Sequence, residues 1–527
     1  MSILLCHVGR KSQCAGSVGP TALFADLSVK RPLPGRRNIV RMARRYDLLI
    51  RGAAIVDGTG APSFRGDVGI DADRIASVGD LSASAGDEEV LANGMMLAPG
   101  FIDAHTHDDR AILGAPASMQ CKLSQGVTTV IVGNCGISLT PHRMQRQPPA
   151  PLDLLGGPES WEFDSFGAYA QRLARQPPVV NAVALIGNMS LRAEAMKFDF
   201  ERAATDQECA QMRDRLAEAL EEGASGFSTG LWYPPSRHAP TQEILAVAEA
   251  LREAQGLYVT HLRDESHDVI ASIEEALGIG RHTGATVVVS HHKCALPENF
   301  GRSRETLAHI DVAAETQQIA FDVYPYAATS TALLPHILRG DLEVRISWSA
   351  PYPEAAGRML SDIAREWGVD NSAAAERLIP ASAIYFSLDE ADVRRIVAHP
   401  KSMIGSDGLP HDHSPHPRLW GTFPRVLGHY ARDLGLFSME MAVHKMTGRT
   451  AEVFGLVDRG TIREGAYADL VIFDPESVSD LATFEAPTLP AKGILRTWVN
   501  GEQCYVQGED FRGRAAGRLL TRARAVR

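Results

Sequence analysis

Nowhere in its 527 residues does the chain have a long apolar run; the ~18 consecutive apolar residues of a spanning helix never occur, which excludes a helical membrane protein. Cysteine is sparse. Cys6, Cys14, Cys121, Cys135, Cys209, Cys294 and Cys504 are scattered and odd in number, which excludes a secreted disulfide scaffold and points to a reducing cytoplasm. Positive charge is not in excess either: 53 Lys plus Arg against 64 Asp plus Glu give a net charge of −11, which argues against nucleic acid as a partner. There is no internal repeat, and the one biased stretch, a Pro and Gln cluster at 145–151, reads as a loop. What is left is 45% hydrophobic and 22% charged, the composition of a soluble globular enzyme.

Residues 1–45 differ from the rest. They carry Arg10, Lys11, Lys30, Arg31, Arg36, Arg37, Arg41, Arg44 and Arg45 against one acid, Asp26, with Pro32, Pro34 and Gly35 interrupting any amphipathic helix. The stretch is expected to be a disordered, dispensable extension with Met42 as the start. Residues 46–98 show short apolar runs between Gly and Asp turns, a small antiparallel β pattern. Gly460 to Pro475 and Leu495 to Gly508 repeat it, so 46–98 and 456–508 are expected to form one β-sandwich built from both chain ends, with 509–527 as a tail.

Between them, short apolar runs alternate with helical stretches, as in parallel βα units. Eight strands are expected: Met96 to His107, Val127 to Cys135, Val179 to Asn188, Gly226 to Tyr233, Leu257 to Arg263, Ala285 to Lys293, Ile319 to Tyr326 and Ser402 to Asp407. A helix over Thr205 to Glu222 stops at Gly223. The fold class is therefore α/β, a (β/α)8 TIM-like barrel over 99–455, with a subdomain of about 331–400 inserted between strands seven and eight.

In a barrel, the carboxyl ends of the strands gather catalytic groups. His105 and His107 end strand one and, by strand alternation, face the same way toward a metal. Cys135 ends strand two among small residues, where a thiolate is a strong zinc ligand. His261 ends strand five, His291 and His292 strand six, and Asp407 strand eight. Singly each has a bland reading as core or turn; together they are hard to explain as packing.

That order of residues resembles the amidohydrolase superfamily. The Asn-Cys-Gly, Thr-His-Leu-Arg, Ser-His-His-Lys, Asp-Val-Tyr-Pro-Tyr and Gly-Ser-Asp-Gly segments are similar to those of the D-aminoacylase, or N-acyl-D-amino-acid deacylase, family, and the likeness spans roughly Tyr46 to Gly508. It implies a tight Zn2+ site of Cys135, His261 and His291 and an adjoining weaker or vacant one of His105, His107 and Asp407. Many relatives carry a bridging carbamylated lysine after strand four. Here that strand ends Gly230-Leu231-Trp232-Tyr233, so Cys135 is the natural substitute. The implied reaction is hydrolysis of a small-molecule N-acyl-D-amino acid, with Asp407 taking a proton from water and delivering it to the leaving amine.

The substrate α-carboxylate needs a cation, and Lys293, one alternation past His291, is the first candidate. The resemblance adds Tyr233, Tyr324, Ser330 and Arg418. His292, His411, His413 and His416 are left as supporting or surface residues. Alternatives are an acidic N-acyl-D-amino-acid deacylase, a cyclic-amide hydrolase, which the missing lysine disfavours, and a non-catalytic assembly protein, which the filled ligand positions disfavour. Side-chain preference and oligomeric state stay open.

Overall fold

Runs such as Val-Thr-Thr-Val-Ile-Val at Val127–Val132 and Thr-Val-Val-Val at Thr286–Val289 are β-branched almost throughout and buried or nearly so. Such runs suit parallel strands covered on both faces. In the computed structural model, which describes residues 44–339, 342–511 and 513–523, they belong to a ring of short parallel strands. These are β1 (Phe101–Asp103), β2 (Val127–Val132), β3 (Asn181–Ala184, continued by Ile186–Gly187), β4 (Gly226–Gly230), β5 (Leu257–His261), β6 (Thr286–Val289), β7 (Ile319–Val323) and β8 (Ser402–Ile404). Each pairs in parallel with the next. A parallel bridge between Thr106 and Gly408 and an Ala104 N–H to Ile404 carbonyl bond of 3.1 Å join β1 to β8.

Inside the ring, Ile102, Ile131, Val183, Val259, Val288, Ala320 and Met403, one from each strand except β4, share a buried cluster. The ring is thus a packed core with its chemistry at the rim. Among the helices outside it, Asp206–Glu221 follows Thr205, whose hydroxyl and Glu208 form a capping box. Gly223, at φ 114°, ends that turn as expected.

The strands are shorter than the sequence reading expects. Met96 to His107 divides at Gly100, where a Cβ would collide with Thr128. Met96–Pro99 pairs antiparallel with Leu470–Phe473 in another sheet, and only Phe101–Asp103 enters the ring. The other expected strands end one to four residues early, because their polar ends turn out of the ladder.

The other sheet has eight strands and unites both chain ends: Arg45–Ile55, Phe64–Asp71, Arg74–Gly79, Ala85–Leu91 and Met96–Pro99 with Leu470–Phe473, Ile494–Val499 and Glu502–Val506. Within Gly460 to Pro475 only Leu470–Phe473 is strand. Between β7 and β8, Thr329–Ala332, Val344–Ser349 and Ala381–Tyr385 make a small antiparallel sheet. It packs with helices Leu360–Trp367 and Asn371–Leu378 on a cluster that includes Ile346, Ile363 and Leu378. Near the C-terminus, Leu520 N–H bonds the Ala182 carbonyl at 2.7 Å, laying that segment along β3.

Ala43–Arg527 form one compact unit. The expected extension lies outside the described residues except for Arg44 and Arg45, and Arg45 already belongs to the first strand. Among the described residues no helix is long and apolar enough to cross a membrane.

Candidate active site

Beyond Asp103 the chain leaves β1, and His105 and His107 follow in irregular backbone. Strand alternation therefore does not aim them, contrary to the sequence argument; the turn does. Cys135 lies beyond β2 at φ 54°, His291 beyond β6 at φ 34° and Asp407 beyond β8 at φ 48°. The left-handed region is uncommon for residues with a Cβ, and here it swings each side chain from the ladder toward the barrel axis.

They converge. Cys135 Sγ lies 3.3 Å from both His105 Nε2 and His291 Nε2. The donor atoms of Cys135, His261 and His291 lie within 4.8 Å of one another, as do those of His105, His107 and Cys135. The two groups share the sulfur. Asp407 Oδ1 is 3.3 Å from His107 Nε2 and 3.7 Å from His105 Nε2. Gly230, at the end of β4, packs against the Cys135 backbone so closely that a Cβ there would overlap the Cys135 carbonyl oxygen.

Burial opposes ionisation of Cys135, but His105 and His291 outweigh it and hold the thiol well below its ordinary range. Burial likewise opposes the Asp407 carboxylate, yet Arg418 and His107 keep it well below the usual range. Burial lowers the His261 pKa, which favours the neutral imidazole. Neither nitrogen of that buried ring has a hydrogen-bond partner among the described residues, and His107 Nδ1 has none. A thiolate, a carboxylate and unpartnered imidazole nitrogens within bonding reach of common points are the donor set that suits zinc.

Three acids that the sequence reading did not single out organise this centre. Asp322, on β7, accepts the His291 backbone N–H at 2.8 Å and approaches His105 Nδ1 at 3.4 Å. Glu265, four residues after His261, meets Lys293 Nζ at 2.7 Å, His291 Nδ1 at 3.1 Å and His261 Nε2 at 3.4 Å. Asp103 accepts the Ser406 N–H at 2.7 Å and Lys122 Nζ at 2.8 Å, and Lys122 Nζ also bonds Ser406 Oγ at 2.8 Å. That last network ties the end of β1 to the segment that carries Asp407. Carboxylates behind histidines fix tautomer and ring orientation.

Lys293 reaches the cavity but is engaged, its Nζ 2.7 Å from His291 Nδ1 as well as paired with Glu265. Since β6 ends at Val289, the turn at His291 rather than alternation brings it there. The cavity above the centre, about 170 Å³, is lined among others by Trp232, Tyr233, Tyr324, Ser330, Lys293 and Asp407. Tyr233 Oη bonds Thr331 Oγ1 at 2.9 Å, and Trp232 stacks on His261. Tyr324 Oη and Ser330 Oγ are buried and unpartnered among the described residues, as is Arg418 Nε. Arg418 stacks over Tyr324 at 4.5 Å, contacts Asp407 Oδ2 at 3.0 Å and donates to the Ser330 carbonyl at 2.9 Å.

The remaining histidines lie apart from the donor groups. His292 bonds Thr306, His416 accepts the Arg418 N–H at 2.9 Å, and His411 and His413 line a different cavity.

The amidohydrolase family profile matches residues 88–336 and 354–505. The chain belongs to the amidohydrolase family. It is 50% identical over 480 residues, 91% of this chain and 98% of the relative, to D-aminoacylase of Alcaligenes xylosoxydans xylosoxydans. To the N-acyl-D-aspartate deacylase of the same organism it is 49% identical, over 91% of this chain and 96% of that one. Among solved structures, the N-acyl-D-glutamate deacylase of Bordetella bronchiseptica, complexed with zinc and a phosphonate inhibitor, matches with a TM-score of 0.87 and 47% identity, over 90% of this chain and all of that one. This amidohydrolase thus matches nearly its whole length to proteins named as D-aminoacylase and N-acyl-D-amino-acid deacylases, one of them solved with zinc bound.

Proposed function

We propose that this amidohydrolase is a zinc-dependent enzyme that hydrolyses N-acyl-D-amino acids to a carboxylate and a free D-amino acid. The observation that carries the reading is the sharing of Cys135 Sγ between two groups of imidazole nitrogens beside a cavity with unpartnered buried donors. Cys135, His261 and His291 would hold the tight ion, and His105, His107 and Asp407 would frame an adjoining weaker site. Zinc bound there supplies Lewis acidity to the scissile carbonyl and to the attacking water.

The protein's own groups supply the rest. Asp407, kept ionised by Arg418 and His107, accepts the proton of the attacking water and returns it to the leaving nitrogen. Tyr324 Oη, Ser330 Oγ and Arg418 Nε, which lack hydrogen-bond partners among the described residues, receive the substrate α-carboxylate, with Lys293 at its edge. Tyr233 steadies the amide. Burial of these donors makes each contact strong once formed, because the alternative is an unpaired polar group.

The sheet uniting both chain ends supports the reading of 46–98 and 456–508 as a sandwich, since Ile50, Val68, Leu97, Leu470 and Trp498 bury one apolar face together. The separate core between β7 and β8 supports an inserted subdomain at about 331–400. Sparse cysteines, with those at 121, 135, 209, 294 and 504 free and buried, support a cytoplasmic location.

The test is hydrolysis of N-acetyl-D-methionine and N-acetyl-L-methionine by protein of known zinc content, before and after chelation. Zinc-dependent release of D-methionine with little from the L isomer is expected. Turnover that survives chelation, or equal rates on both isomers, would remove the proposal.

A further inference from the structure

One hydroxyl from β4 holds both ends of the turn that carries Cys135. β2 ends at Val132, and Gly133, Cys135 and Gly136 follow at φ 80°, 54° and 77°. In an ordinary four-residue turn the first carbonyl accepts the fourth N–H directly. Here the hydroxyl of Ser228, fully buried on β4, stands between the two: it donates to the Gly133 carbonyl and accepts the Gly136 N–H at 3.1 Å. One oxygen can serve both ends because a hydroxyl carries a proton and two lone pairs. The turn therefore closes through an inserted oxygen rather than on itself.

Main chain packs around this turn on the other sides. A Cβ on Gly133 would overlap the Leu185 carbonyl oxygen, one on Gly136 would come within 2.8 Å of the Gly230 nitrogen, and one on Gly187 would overlap the Gly136 carbonyl oxygen. Backbone that is wedged by backbone has little freedom to adjust, so a small change in the turn is passed on to the side chain it carries. Without the hydroxyl, the Gly133 carbonyl and the Gly136 N–H would stay buried and unpaired or would bond each other. Direct closure draws Gly133 and Gly136 together and takes the sulfur away from the His105 and His291 nitrogens, which it now meets at 3.3 Å.

We infer that Ser228 is a positioning residue for the metal: by bridging the Gly133–Gly136 turn it aims Cys135 Sγ at the imidazoles and sets how tightly the site holds zinc. This rests on the zinc site of the deacylase reading and gives a role in it to a residue that neither ligates nor lines the cavity. Groups that orient metal ligands from behind change metal affinity by about 10–100-fold when removed.

The experiment measures the zinc dissociation constant of the full chain by chelator competition, together with the near-ultraviolet thiolate-to-metal absorption of the cobalt-loaded protein, which reports the sulfur directly. Ser228→Ala is expected to raise the zinc dissociation constant by about 10–100-fold and to shift or weaken the cobalt band. The control is Ser349→Ala in the segment between β7 and β8, where a buried hydroxyl likewise bonds a carbonyl, that of Leu378 at 2.6 Å, and an N–H, that of Tyr352 at 3.2 Å. It should lower Tm but leave zinc affinity and the cobalt band as in the parent. Ser228→Thr and Ser228→Val, alike in shape but not in the hydroxyl, give the answer even where Ser228→Ala does not fold: Thr should keep zinc within about threefold of the parent and Val should lose it as Ala does. Parental zinc affinity in Ser228→Ala, equal affinities for the Thr and Val variants, or an equal loss in Ser349→Ala would overturn the inference and leave the zinc enzyme intact. A parent protein that binds no zinc would overturn both.

Discussion

Lys122 offers a severe test of how the centre is held. Its side chain is fully buried, as are those of Asp103 and Asp108, which lie 2.8 and 3.2 Å from its Nζ. Burial works against the ammonium, but the two acids outweigh it and hold its pKa above the ordinary lysine range. Burial also raises the pKa of Asp108 while Lys122 draws it down. Replacing Lys122 by Met keeps most of the volume and removes the cation, leaving two carboxylates with no compensating charge. Breaking a buried pair in this way costs about 3–5 kcal/mol. At about 2.1 cal/mol/K per residue, the 527-residue chain has an unfolding entropy of about 1 kcal/mol/K, so Tm should fall by about 3–5 °C. Calorimetry on the metal-loaded protein gives the shift. Because Ser406 loses its Lys122 contact and carries Asp407 next to it, kcat should fall as well. A Lys122→Met protein that melts within about 1 °C of the parent would refute the reasoning, since it would mean that the carboxylates need no cation.

The other substitutions probe separate roles. Cys135→Ala should lose zinc and activity together, while Asp407→Asn should keep the tight zinc and lose turnover by about 10²–10⁴-fold; metal analysis beside steady-state rates distinguishes them, and an active form of either excludes that residue from its role. Lys293→Ala should raise KM for carboxylate-bearing substrates, whereas a fall in kcat at constant KM would show that its contact with His291 matters more than any with substrate. Gly230→Ala should displace the Cys135 backbone, because the new methyl has no room against that carbonyl; zinc stoichiometry should drop, and full occupancy with normal kcat would contradict the packing.

The order of the strands was legible because parallel barrel strands are buried on both faces and so read as β-branched runs such as Val127–Val132. Cys135, His261, His291 and Asp407 stood out because polar or thiol groups directly after such runs have few packing explanations. The reasons given for their aim were less sound. His105, His107 and Lys293 lie past the ends of their strands, where alternation no longer operates and local turns decide direction. Asp322, Glu265, Asp103 and Lys122 gave no signal of their own, since their meaning comes from partners up to 303 positions away, as between Asp103 and Ser406. Asp322 offered the best clue, opening a segment already noted for its resemblance.

Backbone strain and the shared sulfur have a common origin. Cys135, His291 and Asp407 each sit at positive φ, a conformation that costs about 1–3 kcal/mol for a residue with a side chain and persists only where surrounding structure imposes it. Each is imposed by a named contact. Gly136 N–H bonds Ser228 Oγ at 3.1 Å just after Cys135, Asp322 takes the His291 N–H, and the His105 carbonyl takes the Asp407 N–H at 2.7 Å. These contacts cross from β2 to β4, from β6 to β7 and from β1 to β8, so the barrel itself sets the three turns. With Gly230 leaving space for the Cys135 backbone, the sulfur lies equally close to the imidazoles arriving from β1 and β6. A longer side chain from the end of β4 would need the volume that the Cys135 carbonyl occupies. In this barrel, the glycine that ends β4 and the cysteine that follows β2 are two halves of one geometric solution.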